Sequence, residues 1–120
     1  MNKIDSFISR TSAGGNLPHI MCSFDADCAV RVDGCSMYPR YSSGDLLALK
    51  VLDSPTFIQW GRPHVLKTSQ GCVVKRLFPD PVDDTKIVCH SEDCRNYPDF
   101  KIDKKDVLGI ALVVGRIGTE

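Results

Sequence analysis

Apolar and polar positions alternate along this chain in short runs, separated by glycine, proline and aspartate. Cys28 to Val32 sets Cys28, Val30 and Val32 against Ala29 and Arg31, the two-residue period of a half-buried strand. Leu46 to Leu52 predicts the next strand, ended by Asp53-Ser54-Pro55, and Phe57 to Trp60 leads into a turn at Gly61-Arg62-Pro63. His64 to Thr68 and Cys72 to Phe78 flank Ser69-Gln70-Gly71, a length and composition suited to a hairpin. Pro79 to Asp84 reads as a loop, Lys86 to Cys89 as a strand, Ser91 to Asp99 as irregular and polar, and Phe100 to Ile102 as a short strand. Val107 to Ile117 closes the chain with its most β-prone run. Helical periodicity is never sustained over a dozen residues. Many short strands with turn signals between them predict an all-β domain with little helix, a sandwich or a small barrel.

The pattern fades toward the start. Residues 1–20 read as a flexible tail, polar at Ser6, Ser9, Thr11, Ser12 and Asn16 and punctuated by Ala13-Gly14-Gly15, with a weak helix signal over Ile4 to Ser9. Ile20 to Phe24 suggests a further short strand, and residues 21–120 read as one folded domain. A chain of 120 residues can bury one core but not two.

Charge narrows the partners. Lys+Arg and Asp+Glu are both 15, so no net positive field grips nucleic acid, and little repulsion opposes self-association. The longest strongly apolar run, Val107 to Val114, is far short of the about 20 residues that cross a bilayer. Met1 to Ile20 has no apolar core of the secretory kind, so a soluble cytoplasmic protein with no membrane contact is expected. The six cysteines match no zinc template and lack an export context, so free, mostly buried thiols are expected.

Candidate chemistry centres on Val32 to Lys50. The segment breaks at Gly34, presents Ser36 between Cys35 and Met37, turns through Pro39 and Ser42-Ser43-Gly44-Asp45, and resumes as a strand. A serine on such a turn is either a structural residue or an exposed nucleophile, because its hydroxyl attacks poorly without a base beside it. Lys75 lies within an apolar strand, after Cys72-Val73-Val74 and before Arg76-Leu77-Phe78. An inward side chain would lose solvation and shed its proton more readily, becoming a base for Ser36. Alternation along the strand by itself favours the other setting, a solvated lysine pointing outward.

Three motifs in order carry a resemblance over roughly residues 28–118. Gly34-Cys35-Ser36-Met37-Tyr38-Pro39, Gly44-Asp45-Leu46-Leu47-Ala48-Leu49 and Val73-Val74-Lys75-Arg76-Leu77 resemble the signature of the LexA, UmuD and phage-repressor self-cleaving serine-lysine peptidases. Ser91, Asn96-Tyr97-Pro98 and the closing Val107 to Ile117 are similar to later parts of that pattern. The resemblance implies coiled β-sheets, Ser36 as nucleophile and Lys75 as general base. It further implies an oxyanion hole from the backbone amides at Cys35 and Ser36, Gly44 and Asp45 shaping the turn, Met37 and Pro39 packing beneath the serine, and no cofactor or metal. Two positions depart from the pattern: Cys35 stands where an acid, Asn or Met is usual, and Arg62 stands where an acid is expected.

In that family the substrate is the protein's own upstream segment, often at an Ala-Gly bond. Ala13-Gly14 is the Ala-Gly pair of this chain, and it precedes Ser36 by only 36 − 14 = 22 positions. At roughly 3.3 Å per extended residue that span reaches, provided the path folds back. The implied protein is the autoproteolytic and dimerisation domain of a LexA-like or phage-type repressor, or a short UmuD-like protein. It would respond to a recombinase filament as co-protease and contact DNA only through a helix-turn-helix domain absent from this sequence. A homodimer through the uncharged edge of the C-terminal strand, Val107 to Val114, is expected. Two other readings compete: a dimerisation module whose dyad is unused, and a signal-peptidase relative, against which the lack of a membrane anchor counts.

Overall fold

The computed structural model describes residues 26–118. The expected tail over residues 1–20, its weak helix, the strand over Ile20 to Phe24 and the Ala13-Gly14 bond all lie outside those residues. Seven strands form: β1 (Cys28–Arg31), β2 (Leu46–Leu52), β3 (Pro63–Thr68), β4 (Gly71–Pro79), β5 (Lys86–His90), β6 (Phe100–Asp103) and β7 (Val107–Ile117). They match the alternating runs closely, because each run supplies one face for a core and ends at a residue suited to turning. No α-helix occurs among the described residues; Pro55–Phe57 and Lys104–Asp106 form single 3-10 turns.

All seven strands join in one curled antiparallel sheet, ordered β1-β2-β7-β3-β4-β5-β6. Register shifts between Ala48 and Leu49 in β2 and between Lys67 and Thr68 in β3 interrupt the ladders with β7. Such bulges bend a strand and increase local twist, which helps curl the sheet. The curl gives the sheet two main cores. Leu47, Leu49, Val51, Val65, Ala111 and Val113 fill one with Val30, Val32, Met37 and Tyr41, while Leu66, Leu77, Ile87, Cys89 and Ile110 fill the other with Ile58. Burial of each large aliphatic side chain contributes roughly 1.5–3 kcal/mol.

The C-terminal strand does not lie on an edge, as its sequence suggested. β7 is sandwiched between β2 and β3, and the β3 register runs from Thr68 opposite Val107 to His64 opposite Leu112. Only its last part, Val113 to Ile117, is paired to β2 alone. The low charge of Val107 to Val114 therefore reflects a central strand covered by neighbours. The thiols also differ from expectation: of the described cysteines, Cys28 and Cys89 are buried, whereas Cys35, Cys72 and Cys94 are exposed.

Two unpaired strand edges among the described residues position the site. β1 pairs with β2 only, and β5 pairs with β4 only from Arg76 to Pro79, so Gly71 to Lys75 carries a second edge without a strand partner among the described residues. Four antiparallel steps separate β1 from β4 in the sheet order, so the two run in the same direction. A cavity of about 380 Å³ lies between them, lined by Val30 to Gly34 on one side and Gly71 to Lys75 on the other.

Candidate active site

The loop between β1 and β2 carries Ser36, and its base is closed by a backbone pair. Gly44 donates to the Val32 carbonyl at 2.8 Å, and Val32 donates to the Asp45 carbonyl at 2.8 Å. Gly34 (φ 96) and Gly44 (φ 95) adopt left-handed backbone at the two sides of this loop, a conformation costly for residues with a Cβ. Asp45 is buried and its carboxylate accepts from the Ser42 amide at 2.8 Å and from Arg116 at 3.2 Å. Gly44 and Asp45 thus sit where they shape the turn. Met37 is buried in the core beneath the loop. Pro39 is exposed, so it lies on the outside of the turn and does not pack under the serine as expected.

Lys75 meets Ser36 at the end of the cavity. Its Nζ lies 2.6 Å from Ser36 Oγ. The residue is 8% exposed, opposite to the outward setting that alternation alone favoured. The β3–β4 register explains the inward turn: Lys75 pairs with His64 and shares its face, which also bears Leu66 and Val73. Burial lowers the Lys75 pKa below the usual lysine value, and the neighbouring Cys89 thiol opposes that shift only in part. Cys89 is itself pushed up to about 11 by burial, so at neutral pH it is an uncharged thiol and no counterion. The result is a buried amine with no carboxylate bonded to it among the described residues, against a serine hydroxyl: an arrangement in which the amine can exist neutral and accept a proton.

Lys67, near the end of β3, is buried more deeply, at 2% exposed. Its register partner is Cys72, which puts it on the face of Val65 and Val74, opposite to Lys75. Depth alone would not have singled out Lys75; the contact with Ser36 does.

Cys35 and Ser36 present amides that donate to no acceptor among the described residues, leaving them open toward a ligand. The carbonyls on either side are held: Tyr38 donates to the Cys35 carbonyl at 3.0 Å, and Asp93 donates to the Ser36 carbonyl at 3.0 Å. The second contact shows what the sequence reading did not assign. The polar run after β5 folds over the serine loop, with Tyr97 Oη 3.4 Å from Cys35 Sγ and the Tyr97 ring centroid 6.0 Å from Lys75 Nζ. The only local signal was the Asn96-Tyr97-Pro98 turn motif, which carries no information about what it touches.

Among the described residues no helix is long and apolar enough to cross a membrane. A comparison with curated proteins finds no match. A family model described as Peptidase S24-like matches residues 7–114. That match spans most of the chain and includes all three motifs and the strands that bring Ser36 to Lys75. The chain belongs to the Peptidase S24-like family, the LexA, UmuD and phage-repressor group of self-cleaving serine peptidases.

Proposed function

We propose that this domain is a serine endopeptidase that cleaves its own chain at Ala13-Gly14, with Ser36 as nucleophile and Lys75 as general base. The observation that carries the reading is the 2.6 Å contact between the Ser36 hydroxyl and a buried lysine amine. Neutral Lys75 takes the hydroxyl proton as Ser36 Oγ attacks the Ala13 carbonyl carbon. The amides of Cys35 and Ser36 receive the oxyanion, since neither donates to an acceptor among the described residues. Lys75 then delivers its proton to the Gly14 amine as the peptide bond breaks, and water hydrolyses the resulting Ser36 ester.

The two free edges flanking the cavity support an extended substrate. A strand entering between β1 and the first half of β4 gains main-chain hydrogen bonds on both sides, and small residues at the bond suit a narrow site. The biological setting proposed is a repressor of the LexA or phage type, or a UmuD-like protein, triggered by a recombinase filament. DNA would be reached through a helix-turn-helix domain outside this sequence.

The test is the intact mass of the chain, with its natural upstream sequence, during incubation at mildly alkaline pH. Wild type loses the segment ending at Ala13, and Ser36→Ala retains it. An unchanged wild-type mass over days, with recombinase filament also supplied, overturns the reading. Assembly is proposed as a homodimer that uses the free edge of Val113 to Ile117, the part of β7 that β3 leaves unpaired. Sedimentation at tens of micromolar should give a dimer; a monomer there counts against it.

A further inference from the structure

The turn from Ser91 to Tyr97 touches both sides of the dyad, yet the steps above make no use of it. It is anchored at three points. Glu92 pairs with Arg76, the residue after Lys75 on β4; Asp93 donates its amide to the Ser36 carbonyl at 3.0 Å; and Tyr97 reaches Cys35 Sγ at 3.4 Å. The turn is also braced internally, because Tyr97 donates its amide to the Asp93 carbonyl at 3.0 Å and Asn96 donates to the Asp93 carboxylate at 3.0 Å.

The two oxyanion donors are not held equally. The Ser36 N–H belongs to the peptide whose carbonyl, that of Cys35, accepts from Tyr38 at 3.0 Å. Because a trans peptide is planar, that bond also fixes the direction of the N–H. The Cys35 N–H belongs to the preceding peptide, beside Gly34, whose left-handed backbone (φ 96) carries no Cβ and meets nothing within 4 Å of where one would be. Among the described residues the Gly34 carbonyl accepts no bond that would fix this plane. On the side of its N–H, what tethers Cys35 is its side chain, through Tyr97.

We propose that Tyr97 is a positioning residue for the cleavage reaction: its hydroxyl holds Cys35 by the thiol and so aims the Cys35 amide at the developing oxyanion. The inference rests on the Ser36–Lys75 reading given above. A hydroxyl already fixed by a braced turn orients the donor before reaction, so no reorganisation is needed as charge develops. The ring makes a separate contact, its centroid 6.0 Å from the Lys75 amine. It is 39% exposed, so shortening the side chain by its hydroxyl leaves the cores untouched.

The decisive variant is Tyr97→Phe, which deletes the hydroxyl and keeps the ring. Its maximal rate of self-cleavage should fall about fivefold, the worth of one oriented hydrogen bond, while the pH at which the rate rises stays where Lys75 sets it. In a Cys35→Ala background, Tyr97→Phe should then have no further effect, because the two groups act as one unit. Site-resolved alkylation by iodoacetamide supplies a readout independent of proteolysis, with the exposed Cys72 and Cys94 as internal references. Tyr97→Phe should raise the labelling rate of Cys35 relative to both. The proposal is overturned if a self-cleaving chain is unaffected by Tyr97→Phe, if the fivefold loss persists undiminished without the Cys35 thiol, or if the labelling ratio is unchanged. A wild-type chain that does not cleave itself overturns the dyad reading instead, and the labelling ratio tells the two failures apart.

Discussion

Lys75→Met is expected to slow self-cleavage about a thousandfold and, at neutral pH, to stabilise the fold. The first effect follows from the loss of the general base, whose contribution is of order 10²–10⁴. Lys75→Arg should be equally inactive, since a guanidinium keeps its proton at any accessible pH; charge alone cannot substitute. The second effect follows from the direction of the Lys75 pKa, which burial lowers from 10.5. Between the native value and 10.5 the unfolded chain binds more protons than the folded one, so unfolding free energy rises with pH across that window. Below it, both states carry the charge and the full desolvation cost weighs on the fold. Methionine has similar length and no charge to desolvate, so it removes both the cost and the slope. Urea unfolding of the two proteins over a pH series measures this. A variant that still cleaves within tenfold of wild type, or a stability difference that does not shrink as pH rises toward 10.5, would contradict the argument.

Asp45→Ala should cost about 3 kcal/mol and loosen the serine loop as well. Asp45 is 1% exposed, and its carboxylate satisfies the half-buried Ser42 amide at 2.8 Å. Truncation leaves that donor without a partner and opens a small void, two penalties of roughly 1–3 kcal/mol together with the lost bond. The Arg116 pair at 3.2 Å adds little, because the arginine is half exposed and solvent screens it. Asp45→Asn tests this division: it keeps an acceptor for Ser42 and loses only the charge, so it should cost about 1 kcal/mol. The backbone pair of Val32 with Gly44 and Asp45 closes the loop that carries Ser36. Cleavage by Asp45→Ala, measured well below its midpoint of unfolding, should therefore be slower than the folded fraction accounts for. Equal denaturation midpoints for Asp45→Ala and wild type would refute the assigned role.

The exposed and buried lysines show where reading the chain succeeds and where it stops. Cys28 to Arg31, Leu46 to Leu52 and Val107 to Ile117 were legible as strands because alternation and turn residues are local properties. The motif around Ser36 placed it on a turn between two of them, and that is where it lies. Lys75 was legible as a charge within an apolar strand, but its direction was not. Period two says that neighbours face opposite ways without saying which way is inward; that depends on pairing with His64, eleven residues earlier, and on the curl of the whole sheet. Pro39, expected under the serine, lies outside, in a turn whose facing no strand alternation sets.

Local pattern and motif were enough for the strands, their turns, the Gly34-to-Asp45 loop and the pairing of Ser36 with Lys75 as candidates for chemistry. Tertiary structure alone decided that β7 is interior, that the Lys75 side chain turns inward to within 2.6 Å of Ser36 Oγ, and that Tyr97 and Asp93 fold over the serine loop. The division is physical. Secondary structure is set by steric and solvation preferences acting over a few residues, whereas strand order, facing and the 2.6 Å contact arise from long-range pairing across 39 positions of chain, which no local pattern encodes.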